Sequence, residues 1–330
     1  KKTQLYTIHL SGGEAQLVAD MEYGVGNPEW SPDGKQILFT SRVLMGKKPE
    51  TDVKHIKRIR YKFNNIGFFE GRRVQIYTVK PGSKPKRVTK GEYDVNNPQW
   101  VRDGKAITFI TNMESDADTS RVQDIYRVET KGGEPVRVTN GKYSIASHNI
   151  SPDGSRIAFI GHDKPNELAV DYDLWTMPPD GGKPILETGD FNRSLLMGIG
   201  SDLRVGSPSP GVVWSRDGDY VYFNTADTPY YNIYKLKVGS GEIETLVTDK
   251  TAEGFSVSDD GLIAFVAMNA TAPTELYLYD GEERKLSSFN DGFLAGLDLV
   301  EPEHFTFKNR LGRTVDGWIM KPVSWKEGKS

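Results

Sequence analysis

Short apolar runs alternate with polar residues along this chain, and each run is announced by an Asp-Gly pair. Residues 28–40, PEWSPDGKQILFT, set the pattern. It returns as PQWVRDGKAITFI (98–110), HNISPDGSRIAFI (148–160), VVWSRDGDYVYFN (212–224) and FSVSDDGLIAFVA (255–267). Three residues before each Asp stands a large or apolar side chain: Trp30, Trp100, Ile150, Trp214 or Val257. Asp-Gly supplies the positive-φ positions of a tight hairpin turn. The β-branched and aromatic residues on either side favour strands. The phrase therefore predicts a short strand, a turn and a longer strand. On this reading the five Asp residues turn the chain and catalyse nothing, and the tryptophans fill the space between sheets.

A second phrase interleaves with the first. It runs QLYTIHLSGGEAQLV (4–18), QIYTVKPGSKPKRVT (75–89), DIYRVETKGGEPVRVT (124–139), DLWTMPPDGGKPILET (173–188), NIYKLKVGSGEIETLVT (232–248) and ELYLYDGEERKLSSF (275–289). Each copy is a second hairpin, its glycine absorbing a left-handed turn. The two phrases alternate strictly. Two hairpins make one four-stranded antiparallel sheet, and such sheets repeated at this spacing predict the blades of a β-propeller. No helical 3.6-residue stripe of any length interrupts them. The expected fold is all-β: five full blades, plus a half blade at 4–18. Residues 1–298 would form the propeller, and a seven-bladed parent would have lost its first blade and half of its second.

The composition agrees. Of 330 residues, 37% are apolar and 26% charged, the balance of a globular protein. The formal net charge of −3 gives no bulk bias toward nucleic acid or an anionic membrane. Cysteine is absent, which removes disulfides and cysteine–zinc sites and fits a reducing compartment. The opening KKTQLYTIHL reads as a strand and not as a signal peptide, so the chain is expected to start inside a longer protein.

Function is expected where the repeat breaks. The largest break lies between Arg42 and Val74 and contains Ile59, Tyr61 and Phe63 alternating with Arg58, Arg60 and Lys62. One reading is an extended blade strand with a solvated cationic face. The other is a cationic wall facing a cavity or partner domain, where arginine grips a carboxylate. A second break, 191–211, reads as a loop carrying Asp202 and Arg204. Glu114, Asp116 and Asp118 lack the sixth-position glycine and the closing glutamate of a calcium loop and read as an exposed acidic loop. His9, His55, His148, His162 and His304 lack ligand spacing, so no metal and no cofactor are expected. No Gly-x-Ser-x-Gly elbow and no P-loop occur.

After residue 300 the repeat stops. Phe305-Thr306-Phe307, a turn at Leu311-Gly312, and Val315-Asp316-Gly317-Trp318-Ile319 predict one new hairpin whose Val315, Trp318 and Ile319 need a partner surface. These residues, ending in Lys321-Pro322 and following the WSPDG repeats, resemble the prolyl oligopeptidase family of serine peptidases. The stretch RIRYKFNNIGFFEGRRVQIYTV (58–79) is similar to its acylaminoacyl-peptidase branch. The resemblance implies a seven-bladed propeller over an α/β-hydrolase domain with a Ser-Asp-His triad, here beyond Ser330. Residues 299–330 would then be a linker and the first hairpin of that domain. It further implies a substrate-gating propeller for a cytoplasmic serine exopeptidase or oligopeptidase acting on short peptides, with no cofactor and no activity in this segment alone. Related peptidases hold a substrate terminus with propeller arginines and glutamates. Arg58, Arg60, Glu70, Arg72 and Arg73, with Tyr61 beside them, are the candidates here, although no motif assigns the role. The expected partners are a short peptide and the α/β-hydrolase domain, not nucleic acid or membrane; a homo-oligomer is left open. The rival reading is a non-enzymatic TolB-like interaction propeller.

Overall fold

A computed structural model describes residues 2–47, 50–64, 66–199, 209–227 and 229–325. The paired phrases fold as paired hairpins. Strands Gly26–Trp30, Ile37–Leu44, Arg72–Val79 and Lys86–Arg87 form the first four-stranded antiparallel sheet in that order. Asn96–Trp100, Ala106–Thr111, Asp124–Glu129 and Val136–Arg137 form the second. Ser144–Ile150, Ile157–His162, Asp173–Met177 and Ile185–Leu186 form the third. Val213–Trp214, Tyr220–Asp227, Tyr230–Lys237 and Glu242–Val247 make a fourth set. A fifth contains Thr251–Val257, Ile263–Met268, Glu275–Tyr279 and Glu283–Lys285. A single parallel bridge, Tyr231 to Thr251, links these last two. Ahead of them all, Leu5–Thr7 and Gln16–Ala19 form a two-stranded sheet.

The Asp-Gly pairs do turn hairpins, but in loops wider than the tightest turn. Only the glycines have positive φ: 66° at Gly34, 67° at Gly104, 77° at Gly154, 76° at Gly218 and 87° at Gly261. Ser31 and Gln36 close the first turn, Gln36 C=O accepting the Ser31 N–H at 2.8 Å, and Gly34 N–H donates to Ser31 C=O at 2.8 Å. That leaves a four-residue loop, one of the longer hairpin connections. Side chains lock it. Ser31 Oγ donates to Asp33 Oδ1 at 2.7 Å and accepts the Gln36 N–H at 3.1 Å. Asp33 Oδ1 also takes the Lys35 N–H at 3.1 Å. The same serine–aspartate bond recurs at Ser151–Asp153 (2.5 Å), Ser215–Asp217 (2.6 Å) and Ser258–Asp260 (2.5 Å). These hydrogen bonds, the serine hydroxyl first, hold the carboxyls of Asp33, Asp153, Asp217 and Asp260 below the ordinary range.

The core comes from one recurring contact. The phenylalanine that closes each first phrase is buried: Phe39, Phe109, Phe159, Phe223 and Phe265. Each stacks on the aromatic that opens the following second phrase. Ring centroids lie 5.5 Å apart for Phe39–Tyr77, 6.1 Å for Phe109–Tyr126 and 6.2 Å for Phe159–Trp175. For Phe223–Tyr234 and Phe265–Tyr277 they are 5.6 and 5.3 Å. Such a pair contributes about 0.5–1.5 kcal/mol beyond the area it buries. The two-stranded sheet joins the first core through Leu5, Val18 and Ala19.

Trp100 and Trp214 are buried as expected, but Trp30 is 50% exposed. The Trp100 indole N–H donates to Glu29 C=O at 3.3 Å, on the first strand of the preceding sheet. Among the described residues, the sheet ahead of Trp30 is only the two strands near the start of the chain, and no first strand covers that ring.

By internal contacts the chain forms two compact units, Lys1–Val170 with Leu174–Leu186, and Asp171–Asp173 with Glu187–Ser330. The second unit ends in a hairpin of Glu303–Lys308 and Thr314–Ile319. Asp291–Leu294 forms one short helical turn. Among the described residues no helix is long and apolar enough to cross a membrane.

Candidate functional site

The break in the first sheet is an excursion and not a blade strand. Ile37–Leu44 and Arg72–Val79 stay in register to their last pair, Leu44 and Arg72, so the described residues between them lie outside the sheet. Among these described residues only Lys62–Phe63 and Gly67–Phe68 pair as strands. The expected alternation therefore buries no apolar face: Ile59 is 67% exposed and Phe63 66%. A strand needs a neighbour to cover one face, and this segment has none along most of its length.

Most of the predicted substrate-binding residues are committed within the excursion and its foot. Glu70 and Gly71 both have positive φ, 51° and 74°, which turns the Glu70 carboxyl back over the loop. One of its oxygens takes the Lys54 ammonium and the other takes Arg72 Nη2 at 2.5 Å. The Lys54 hydrogen bond is the main reason its carboxyl sits below the ordinary glutamate range. The Arg72 guanidinium also lies 4.8 Å from the centre of the Tyr23 ring. Arg73 is buried and donates to Glu92 C=O at 3.3 Å and Arg72 C=O at 3.1 Å. Tyr61 leans on Phe68, with ring centroids 5.9 Å apart. Arg60 is exposed and has no ion-pair partner among the described residues.

Arg58 reaches furthest. Its Nε donates to Asp118 Oδ1 at 2.8 Å, joining the excursion to the corresponding loop of the second sheet. Between them lies a cleft of about 630 Å³ whose walls include Glu92, Tyr93, Glu114 and Asp116. The acidic loop is thus partly paired and not simply solvated: Glu114 also binds Arg137. Burial pushes the Tyr93 hydroxyl up to about 12.

A second cleft, of about 480 Å³, runs along the first strands of the first three sheets. Asn27 and Asn97, at the same place in two repeats, have φ of 49° and 45° and sit at shifts in strand register. These bulges re-aim the residues beside them. Asn97 Oδ1 accepts the His148 N–H at 2.9 Å, and Gln99 Nε2 donates to His148 C=O at 2.7 Å. The His148 ring is buried against Thr108 Oγ1 at 2.9 Å, and burial pushes its pKa down to about 3. Glu29, half-buried in this cleft, accepts a backbone hydrogen bond from Trp100, yet burial pushes it up to about 7. None of the six predicted residues lines this cleft. Sequence reading passed over Glu29 and Gln99 because they lie inside the repeat. The signal was the one polar position between Pro and Trp in PEW and PQW.

Among the described residues no three His, Asp or Glu side chains converge as metal ligands. Asp202 and Arg204 lie outside the described residues.

Three comparisons bear on these sites. The family model of the acylaminoacyl-peptidase N-terminal β-propeller domain matches residues 1–171. YuxL of Bacillus subtilis (strain 168), described as an uncharacterized peptidase, is 33% identical over 334 residues, which cover 97% of this chain and 51% of that protein. The chain thus spans about half the length of this curated relative. The acylaminoacyl peptidase of Pyrococcus horikoshii superposes with a TM-score of 0.75 at 23% identity, over 97% of this chain and 47% of that one. An acylaminoacyl peptidase in complex with Z-Gly-Gly-Phe-chloromethyl ketone gives 0.75 at 22% identity, over 99% and 48%.

Proposed function

Because the chain belongs to the acylaminoacyl-peptidase N-terminal β-propeller family, we propose that it is the substrate-admitting propeller of a serine peptidase that hydrolyses short peptides. The observation that carries this reading is the 33% identity, along 97% of the chain, to a protein described as a peptidase. The relative is about twice as long, and no Gly-x-Ser-x-Gly elbow occurs here. The proposal therefore places the nucleophile in an α/β-hydrolase domain that residues 299–330 begin, with residues 1–298 as the propeller. There a serine activated by histidine would open the amide through an acyl-enzyme. The propeller's part is steric: a narrow passage admits peptides and turns away folded proteins. The complex of a related peptidase with a peptidyl chloromethyl ketone supports a peptide as the ligand. The same reading places the enzyme in the cytoplasm.

Within this scheme the excursion supplies contacts to the peptide. Arg60 and Tyr61 are the exposed members, and Arg58, Glu70, Arg72 and Arg73 would engage by exchanging their internal partners. The full-length protein should cleave acetyl-alanyl p-nitroanilide and leave folded casein-sized proteins intact, and residues 1–330 alone should turn over neither. Absence of peptide turnover by the full-length protein would refute the proposal. Arg58→Ala should lower kcat/KM by roughly tenfold or more, the size of one hydrogen bond to a charged group. An unchanged value would leave Arg58 a purely structural residue.

A further inference from the structure

The cleft along the first strands contains a carboxyl group, that of Glu29, with no counter-ion among the described residues. We infer that this cleft binds the cationic side chain of a lysine or arginine in a peptide, with Glu29 as its counter-charge; the inference rests on the peptide-handling function proposed above.

Three features carry it. The first is space. At about 480 Å³ the cleft falls within the range of small-ligand sites, and Asn27, Asn97, Gln99 and Asn149 give it polar walls. The second is the bonding already in place. Asn97 spends its oxygen on the His148 N–H, and Gln99 spends its nitrogen on the His148 carbonyl. The Gln99 oxygen remains as an acceptor in the cleft that Glu29 also lines, which suits an ammonium or guanidinium with several N–H groups to satisfy. The third is charge. Among the described residues the only other charged group lining the cleft is Arg102. It contributes no charge interaction to Glu29, and its side chain lies along Gly154, with Cβ 3.6 Å from where a Cβ on that glycine would stand. A half-buried carboxylate with only a backbone donor is costly to ionise, which is why its pKa is displaced upward to about 7. A ligand cation removes that cost by ion pairing, whereas an anion would add to it.

Lysine stays protonated across neutral pH while Glu29 ionises, so affinity should follow the carboxyl. Between pH 6 and 8 the ionised fraction of a group with pKa near 7 rises roughly tenfold. The test is calorimetric titration of the full chain with acetyl-Ala-Lys-Ala-amide, and with the neutral norleucine analogue as reference. The lysine peptide should bind roughly tenfold more tightly at pH 8 than at pH 6, and the norleucine peptide should show no such change. Glu29→Gln keeps the shape and an acceptor for the Trp100 N–H, and should abolish the pH dependence. Equal affinity for the two peptides, or an unchanged pH profile in Glu29→Gln, would overturn the inference. Peptide hydrolysis by the full-length protein is measured in parallel. Hydrolysis without charge preference sinks only this inference, whereas no hydrolysis sinks the functional reading beneath it.

Discussion

Two titratable side chains on the first strands of the first and third sheets, Glu29 half-buried and His148 buried, pull stability in opposite directions with pH. Glu29 has a folded pKa raised to about 7, against 4.5 for a free glutamate. The folded state therefore holds its proton more tightly, and the stability this brings is present below about pH 4.5 and lost as the pH rises through about 7. Partial exposure reduces the effect below the roughly 3 kcal/mol that the full shift would represent. Glu29→Gln should accordingly gain on the wild type in denaturant midpoint at pH 8 compared with pH 5, and parallel midpoints at the two pH values would contradict the assignment. His148 has the reverse sign: its folded pKa is depressed to about 3, so its contribution is present above about 6.5 and lost as acid protonates it. His148→Gln should flatten the acid limb between pH 6 and 4 while costing some stability at pH 7 through the Thr108 contact. Neither residue was legible as special in the sequence. Burial made them so, and burial depends on which strands face each other across three sheets. Arg58, by contrast, was legible as a cation off the repeat, but its partner Asp118 stands 60 positions away and was found only in the fold.

At the scale of the element, the hairpins were legible because two local signals agreed, the period-2 alternation and the Asp-Gly pair. The turn geometry was not, because the same dipeptide serves two-residue and four-residue loops. The hydroxyl two residues before Asp braces the longer loop, bridging Asp33 Oδ1 and the Gln36 N–H, but does not select it: Val101, with no hydroxyl, closes the same loop on Ala106 C=O at 2.9 Å. The second sheet offers a natural control: Val101 stands where the others have serine, and Asp103 there keeps only the Lys105 N–H, at 2.9 Å. Ser151→Ala should therefore lose about 1 kcal/mol, since Ser151 is buried and makes both bonds, at 2.5 and 2.9 Å. Val101→Ser should give part of that back in the second sheet. Urea unfolding of the two variants checks both signs, and a neutral Ser151→Ala would mean that Gly154 alone sets the turn. The excursion misled because its alternation had the right period but no partner strand. Periodicity predicts a face, and only a neighbour buries it.

At the scale of the whole molecule, the sequence repeat works as a packing rule. Each first phrase supplies a phenylalanine and each second phrase an aromatic to stack on it, and Phe39–Tyr77, Phe109–Tyr126, Phe223–Tyr234 and Phe265–Tyr277 are directly opposed across strands. The closing hairpin breaks this rule. Phe305 and Phe307 stack with centroids 6.3 Å apart on the face that also holds Val315 and Ile319, but they remain 41% and 50% exposed. Trp318, expected like Val315 and Ile319 to need a partner surface, falls on the opposite face from them, against His304, with ring centroids 5.1 Å apart. Apolar side chains left in water contribute little to the stability of the unit that carries them, and their exposure favours association. Phe305→Ser with Phe307→Ser should therefore reduce the fluorescence of a bound hydrophobic dye and any concentration-dependent association of residues 1–330. Its Tm should stay close to wild type, as for surface changes worth within about 0.5 kcal/mol. Phe159→Ala, which removes a fully buried member of the stack, should instead cost about 3–5 kcal/mol. If the hairpin variant lost stability on the scale of Phe159→Ala, the two phenylalanines would be core residues of this chain, and their exposed placement would be wrong.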